Sequence, residues 1–189
     1  MVTVVQKVNK WMVVCILCLP MISWANEKLE QSLEDHFRIY ILKEERRNPG
    51  DRVVVKTDRQ GNQYASLYYW RNLDHRNPAD VICDAYRWLL LGRTTFGQGA
   101  QEAFKDHDKL ARIQLRYFDL EFSSKRGKKK GEIVPTFKAK EYMVLTVNRD
   151  SLLSKRIDDE LIGKTIEQGK CPTLKGYMDK TWFDQNYMR

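Results

Sequence analysis

Arg112 to Val147 reads RIQLRYFDLEFSSKRGKKKGEIVPTFKAKEYMVLTV, and this stretch decides the fold class. Ile113, Leu115 and Tyr117 alternate with polar residues, the two-residue period of a strand with one buried face. Phe118, Leu120 and Phe122 continue the alternation on the opposite phase. Either a bulge lies near Tyr117 or both faces are covered. Tyr142 to Val147 is apolar on both phases, which places it inside a sheet. No helical pattern separates the two segments, so they are predicted to pair antiparallel.

Between them lies Ser123 to Glu132, the expected tip of a long hairpin connection. Lys125, Arg126, Lys128, Lys129 and Lys130 crowd into six positions there, with Gly127 and Gly131 for flexibility. Five like charges repel one another and stay solvated. The same run is the chain's first candidate for contact with an anionic surface. Each lysine beside an anionic bilayer contributes about 1 kcal/mol, within a Debye length of it. Lipid head groups and acidic polysaccharide are the expected partners. Specific nucleic-acid recognition is not expected, because it needs a reading helix or aromatics placed to stack on bases.

Upstream, Val53-Val54-Val55 and Tyr64 to Trp70 flank the turn residues Asp58-Arg59-Gln60-Gly61-Asn62, the pattern of a hairpin. Tyr68 and Trp70 share one face of the second strand and Tyr69 takes the other. Core packing is the expectation for these rings, and a carbohydrate platform the alternative. Asn77-Pro78-Ala79-Asp80 starts a helix with a capping side chain, a first-turn proline and an acid, and Gly92 ends it. A shorter helix is predicted over Gln98 to His107. A first helix is predicted over Asn26 to Arg46 from Leu29, Leu33, Phe37, Tyr40 and Ile41. Downstream, one helix is expected from Asp150 to Gly169, followed by an aromatic tail docked on the domain.

The order is helix, hairpin, two helices, two long strands, helix and tail. It predicts a single α+β domain over residues 26–189, an antiparallel sheet with helices packed mainly on one face. A parallel doubly wound sheet is the alternative, and strict βαβ alternation is missing.

The N-terminus carries Lys7 and Lys10, the apolar run Trp11 to Leu19, then Pro20 and Ser23-Trp24-Ala25. This is the three-part pattern of a secretory signal peptide over residues 1–25, cut after Ala25. The apolar run is shorter than the ~20 residues of a membrane span, and an uncleaved anchor is the alternative. The expected setting is a bacterial periplasm or the extracellular space. The chain carries 33 Lys and Arg against 25 Asp and Glu, a formal net charge of +8, which biases it toward anionic partners. Cleavage leaves Cys83 and Cys171. In an oxidising compartment the pair reads as a disulfide, closing a loop of about 90 residues worth roughly 4–5 kcal/mol.

Chemistry finds little purchase in the rest. His36, His75 and His107 are far apart in sequence, without the paired spacing of a zinc site, so no metal is expected. Adjacent side chains of Asp106-His107-Asp108 diverge by about 100° if helical. No glycine-rich phosphate loop and no Gly-x-Ser-x-Gly elbow occurs, and no cofactor is expected. The sharpest catalytic candidate is Cys83, in the second turn of its helix, where the dipole lowers a thiol pKa. Asp80-Val81-Ile82-Cys83-Asp84-Ala85-Tyr86 resembles the cysteine-bearing helix of papain-like cell-wall peptidases over about a dozen residues. The resemblance implies a histidine on a strand well downstream, and this chain has none after His107; His75 would have to serve from upstream. The leading expectation is therefore an exported, non-enzymatic binding or accessory protein. An exported cysteine hydrolase using Cys83 is the alternative, and a toxin or effector acting outside the producing cell a third.

Overall fold

The computed structural model describes residues 24–37, 51–71, 77–92, 99–126 and 133–184. The signal-like segment up to residue 23, the second half of the predicted first helix, His75 and Lys128 to Lys130 lie outside them. Among the described residues no helix is long and apolar enough to cross a membrane.

Among the described residues, five strands form one sheet in the order β1-β2-β3-β4-β5. β1 (Arg52–Thr57) and β2 (Gln63–Arg71) make the predicted hairpin. Its turn is held by Asp58, whose carboxylate accepts from the backbone N–H groups of Gln60 and Asn62 at 2.8 and 2.9 Å. Gly61 sits at φ 88°, a conformation that favours glycine. β3 (Leu110–Arg126) and β4 (Ile133–Asn148) make the long antiparallel pair. β5 (Lys180–Phe183) adds to β4 at the edge, so the aromatic tail docks as a strand.

The α+β class holds, and the sheet is mixed rather than purely antiparallel: β2 and β3 run parallel. The reason lies in the connection. α2 (Pro78–Leu91) and α3 (Ala100–Asp106) fall between them, and a crossover of that length returns the chain in the same direction. Both helices start and stop close to expectation. The Asn77 side chain accepts from the Ala79 N–H, and Gly92 closes α2 at φ 80°. The bulge near Tyr117 is also present, because Tyr117 pairs with Met143 and Phe118 with Glu141. The extra residue is Tyr142, on the partner strand.

One helix was expected after Asp150, and there are two: α4 (Arg149–Leu153) and α5 (Asp159–Glu167). The Asp158 carboxylate accepts from the Leu161 N–H at 2.9 Å, so it restarts the helix as an N-cap. The carbonyls at the end of α4 are satisfied instead by the Gln101 amide, which donates to Leu152 and Lys155 at 3.3 and 3.0 Å. Arg149 returns the favour by donating to the carbonyls of Phe104 and His107 at the end of α3. A 3-10 helix (Cys171–Tyr177) follows.

α1, residues 24–36, lies along the β1 edge. Glu30 accepts from the Val55 N–H at 2.7 Å, and Glu34 accepts from Val53, so two edge-strand donors are satisfied by a helix. All the helices bury residues in one core with one face of the sheet. Leu33, Leu89, Phe104 and Leu152 meet Leu67, Ile113, Leu115 and Leu145 there. The other sheet face has no described helix on it. Its residues, such as Tyr68, Trp70, Arg116 and Phe118, are half-buried.

Candidate functional site

Two surfaces and one covalent bond account for the side chains singled out by the sequence. The first surface is the end of the β3–β4 pair. β2 stays in register with β3 only as far as Arg71 opposite Asp119. β5 pairs with β4 from Thr146 to Met143, and the Asp184 N–H goes on to donate to the Tyr142 carbonyl at 2.8 Å. Beyond Asp119, among the described residues, β3 and β4 pair only with each other for seven further pairs, ending at Arg126 opposite Ile133. At a strand rise of about 3.4 Å per residue that makes a two-stranded arm about 24 Å long.

The arm's end is cationic and partly apolar. Lys125 and Arg126 are exposed. Opposite them, Val134 and Ile133 are 41% and 72% exposed. The sequence singled out the cations; the two aliphatic residues were missed because they belong to no periodic pattern. Ser123 and Thr136 meet through their hydroxyls at 2.6 Å across the arm. Lys128, Lys129 and Lys130 follow in the six residues that join the two strand ends.

The second surface is the open sheet face. Cross-strand register brings Arg52, Tyr68, Arg116, Val144 and Trp182 into one row. Trp70 and Phe118 oppose each other in the next. Their rings stack at 4.5 Å between centroids, and Tyr68 stacks on Phe118 at 5.9 Å. Arg52 and Arg116 lie over the Tyr68 ring at 5.0 and 5.4 Å. The Arg116 guanidinium is held by Glu141 in a two-pronged pair at 2.6 and 3.1 Å, which raises its pKa further above the ordinary value. Ring faces stacked on neighbours, and an arginine already paired, leave little for an outside sugar or base. Tyr69 turns to the core as expected, against Trp88 at 4.1 Å. The rings of Tyr68, Trp70 and Phe118 form a self-stacked ladder along this face.

Cys83 and Cys171 form a disulfide with Cα atoms 5.2 Å apart. The bond ties α2 to the 3-10 helix in the core. It takes the thiol that a hydrolase mechanism through Cys83 requires.

His107 is half-buried between two exposed acids. Its Nε2 lies 3.1 Å from the Ser32 hydroxyl. Burial holds the imidazole below its ordinary pKa of 6.5, against the pull of Asp106. His36 donates from Nε2 to the Gly99 carbonyl at 3.0 Å. These contacts fasten α1 to α3. Among the described residues no group of three or more His, Cys, Asp or Glu side chains is placed to hold a metal ion.

No family model matches the chain, and no curated protein and no solved structure matches it.

Proposed function

We propose that this chain is an exported, non-enzymatic binding protein that contacts an anionic surface through the end of its β3–β4 arm. The observation that carries the reading is the register. Pairing runs on to Arg126 opposite Ile133, seven pairs beyond the last described pairing with β2. Strand ends that only closed a sheet would stop with it. Here they carry the exposed Lys125 and Arg126 seven pairs past the described pairing with β2, with three more lysines in the connection. An isolated two-stranded ribbon is marginal in water, so such an arm is a costly way to make a loop. Export is supported by the N-terminal pattern and fits a disulfide in the core, since such bonds persist in oxidising compartments. The non-enzymatic part rests on Cys83, whose sulfur is bonded to Cys171.

The test is retention on anionic matrices. The native protein should bind heparin-type polysaccharide or vesicles with phosphatidylglycerol, and binding should weaken steeply with salt. Replacing Lys125, Arg126, Lys128, Lys129 and Lys130 with Ser should abolish it. Equal retention of native and substituted protein at low salt would remove the arm from the function.

A further inference from the structure

The register of the arm contains more than its charge. Side chains of a strand alternate between faces, and cross-strand partners share one. The register positions on the side of the open sheet face pair Leu120 with Ala139, Phe122 with Phe137, Ser124 with Pro135, and Arg126 with Ile133. Those on the other side pair Glu121 with Lys138, Ser123 with Thr136, and Lys125 with Val134. At the end of the arm, Arg126 and Ile133 share one register position and Lys125 and Val134 the next, and all four are exposed. The end of the arm thus sets exposed cations beside exposed aliphatic side chains.

From this, and resting on the anionic-surface reading above, we infer that the arm docks on an anionic lipid bilayer, with Ile133 entering the boundary between head groups and acyl chains. Three observations choose this occupant. Ile133 is 72% exposed next to the exposed cations Lys125 and Arg126; an interface that is anionic outside and apolar a few ångströms deeper suits both at once. A hydrated polysaccharide would neutralise the cations and offer Ile133 nothing. A second copy of the chain would bring two sets of the same cations together, in a protein with a formal net charge of +8. Trp182, on the same open face and 41% exposed, is the kind of side chain that settles at head-group depth.

Sedimentation with vesicles tests this, using phosphatidylcholine with and without phosphatidylglycerol. Native protein should partition onto the anionic vesicles. Ile133→Asn keeps every cation and should weaken partitioning about tenfold, the scale expected for one aliphatic side chain leaving an apolar layer. Ile133→Trp should strengthen it. An environment-sensitive label on Ile133→Cys should shift to the blue on anionic vesicles and be quenched by brominated acyl chains. Circular dichroism checks that each variant is folded, as expected for an exposed site.

If Ile133→Asn binds as tightly as native protein and the label stays in water, the contact is with head groups alone; the insertion inference falls and the anionic-surface reading stands. Retention on acidic polysaccharide with no vesicle binding has the same meaning. Self-association that Ile133→Asn abolishes, without vesicle binding, would assign the face to a second copy and also overturn the inference. No retention on vesicles or polysaccharide would remove both readings.

Discussion

The disulfide between Cys83 and Cys171 makes a quantitative demand on stability. The two residues are 88 apart in sequence. In the chain-entropy treatment, a loop of that length removes about 4.6 kcal/mol of freedom from the unfolded chain. Both cysteines are buried, Cys171 completely, so replacing them with alanine also leaves a small void, worth about 1 kcal/mol more. The expected loss for the double variant Cys83→Ala/Cys171→Ala is therefore about 4–6 kcal/mol. Domains have only about 5–15 kcal/mol in total, so this loss brings the fold close to its limit. Urea unfolding followed by tryptophan fluorescence is the assay, since Trp88 on α2 packs edge-on against Tyr69 in the core. The slope of stability against urea should rise as well, because an unclosed chain exposes more surface. Native protein treated with reductant should behave like the variant. A loss under about 1 kcal/mol with an unchanged slope would refute the closure argument. Two alkylatable thiols in the untreated native protein would refute the bond itself and reopen Cys83 as a reactive group.

Gly99→Ala should destabilise the fold by about 2–3 kcal/mol in the same assay, because a Cβ there would strike the Leu90 carbonyl and the Leu91 amide of α2, which are backbone and cannot turn aside; unchanged stability would mean that α2 and α3 are not so closely apposed. The Asp58 carboxyl should titrate at about 2 by NMR, held down first by the Tyr64 hydroxyl and then by Asn62. A depressed carboxylate stabilises the fold above its ordinary value of 3.8 and loses that contribution as pH falls through about 2. Tyr64→Phe should move the midpoint up, and an unmoved midpoint would exclude the hydroxyl as the main cause. Arg149→Met should cost about 1–3 kcal/mol, since it strips the charged donor from the carbonyls of Phe104 and His107; a neutral result would show those carbonyls to be satisfied by water. A double-mutant cycle with Arg116→Met and Glu141→Gln should give a coupling of no more than about 1 kcal/mol, because both side chains are partly exposed, and a larger value would mean that the open face is covered in solution.

The readable parts of this fold were those where a local rule acts alone. Asn77 and Pro78 start a helix through their own backbone and side chain, whatever surrounds them. The turn at Asp58 to Asn62 closes on itself, and the alternation of Ile113, Leu115 and Tyr117 follows from one buried face. Direction was less legible, because the parallel pairing of β2 with β3 depends on where a forty-residue-scale crossover lands, and no side chain in either strand announces it. The break between α4 and α5 was hidden for a similar reason. Leu153, Ile157 and Leu161 keep a helical spacing across it, yet the end of α4 is satisfied from α3, by Gln101. At the site, charge was visible in sequence and apolar exposure was not. Ile133 and Val134 look like ordinary strand residues, and only the register shows that the described pairing with β2 ends before reaching them.

The direction of the arm is set where β3 and β4 leave their described partners. A two-stranded ribbon has little stability of its own, so its direction must be fixed at its root. The bulge supplies the first constraint: β4 spends an extra residue on Tyr142 between Met143 and Glu141, and a bulge bends its strand and adds twist. Tyr142 is 5% exposed and meets Tyr117 edge-on at 5.8 Å, so the bend is packed into the core. Two ion pairs then brace the strand from either side of that point. Glu141 holds Arg116 on the open face, and Lys140 reaches Asp184 at the end of β5 at 2.9 Å. Each pair is partly exposed and weak by itself. Together with the buried tyrosine they fix the angle at which β3 and β4 leave the sheet, and over an arm of about 24 Å a small error in that angle would displace the cationic end by several ångströms. On this argument the root residues govern where Lys125, Arg126 and Ile133 stand without touching what they bind.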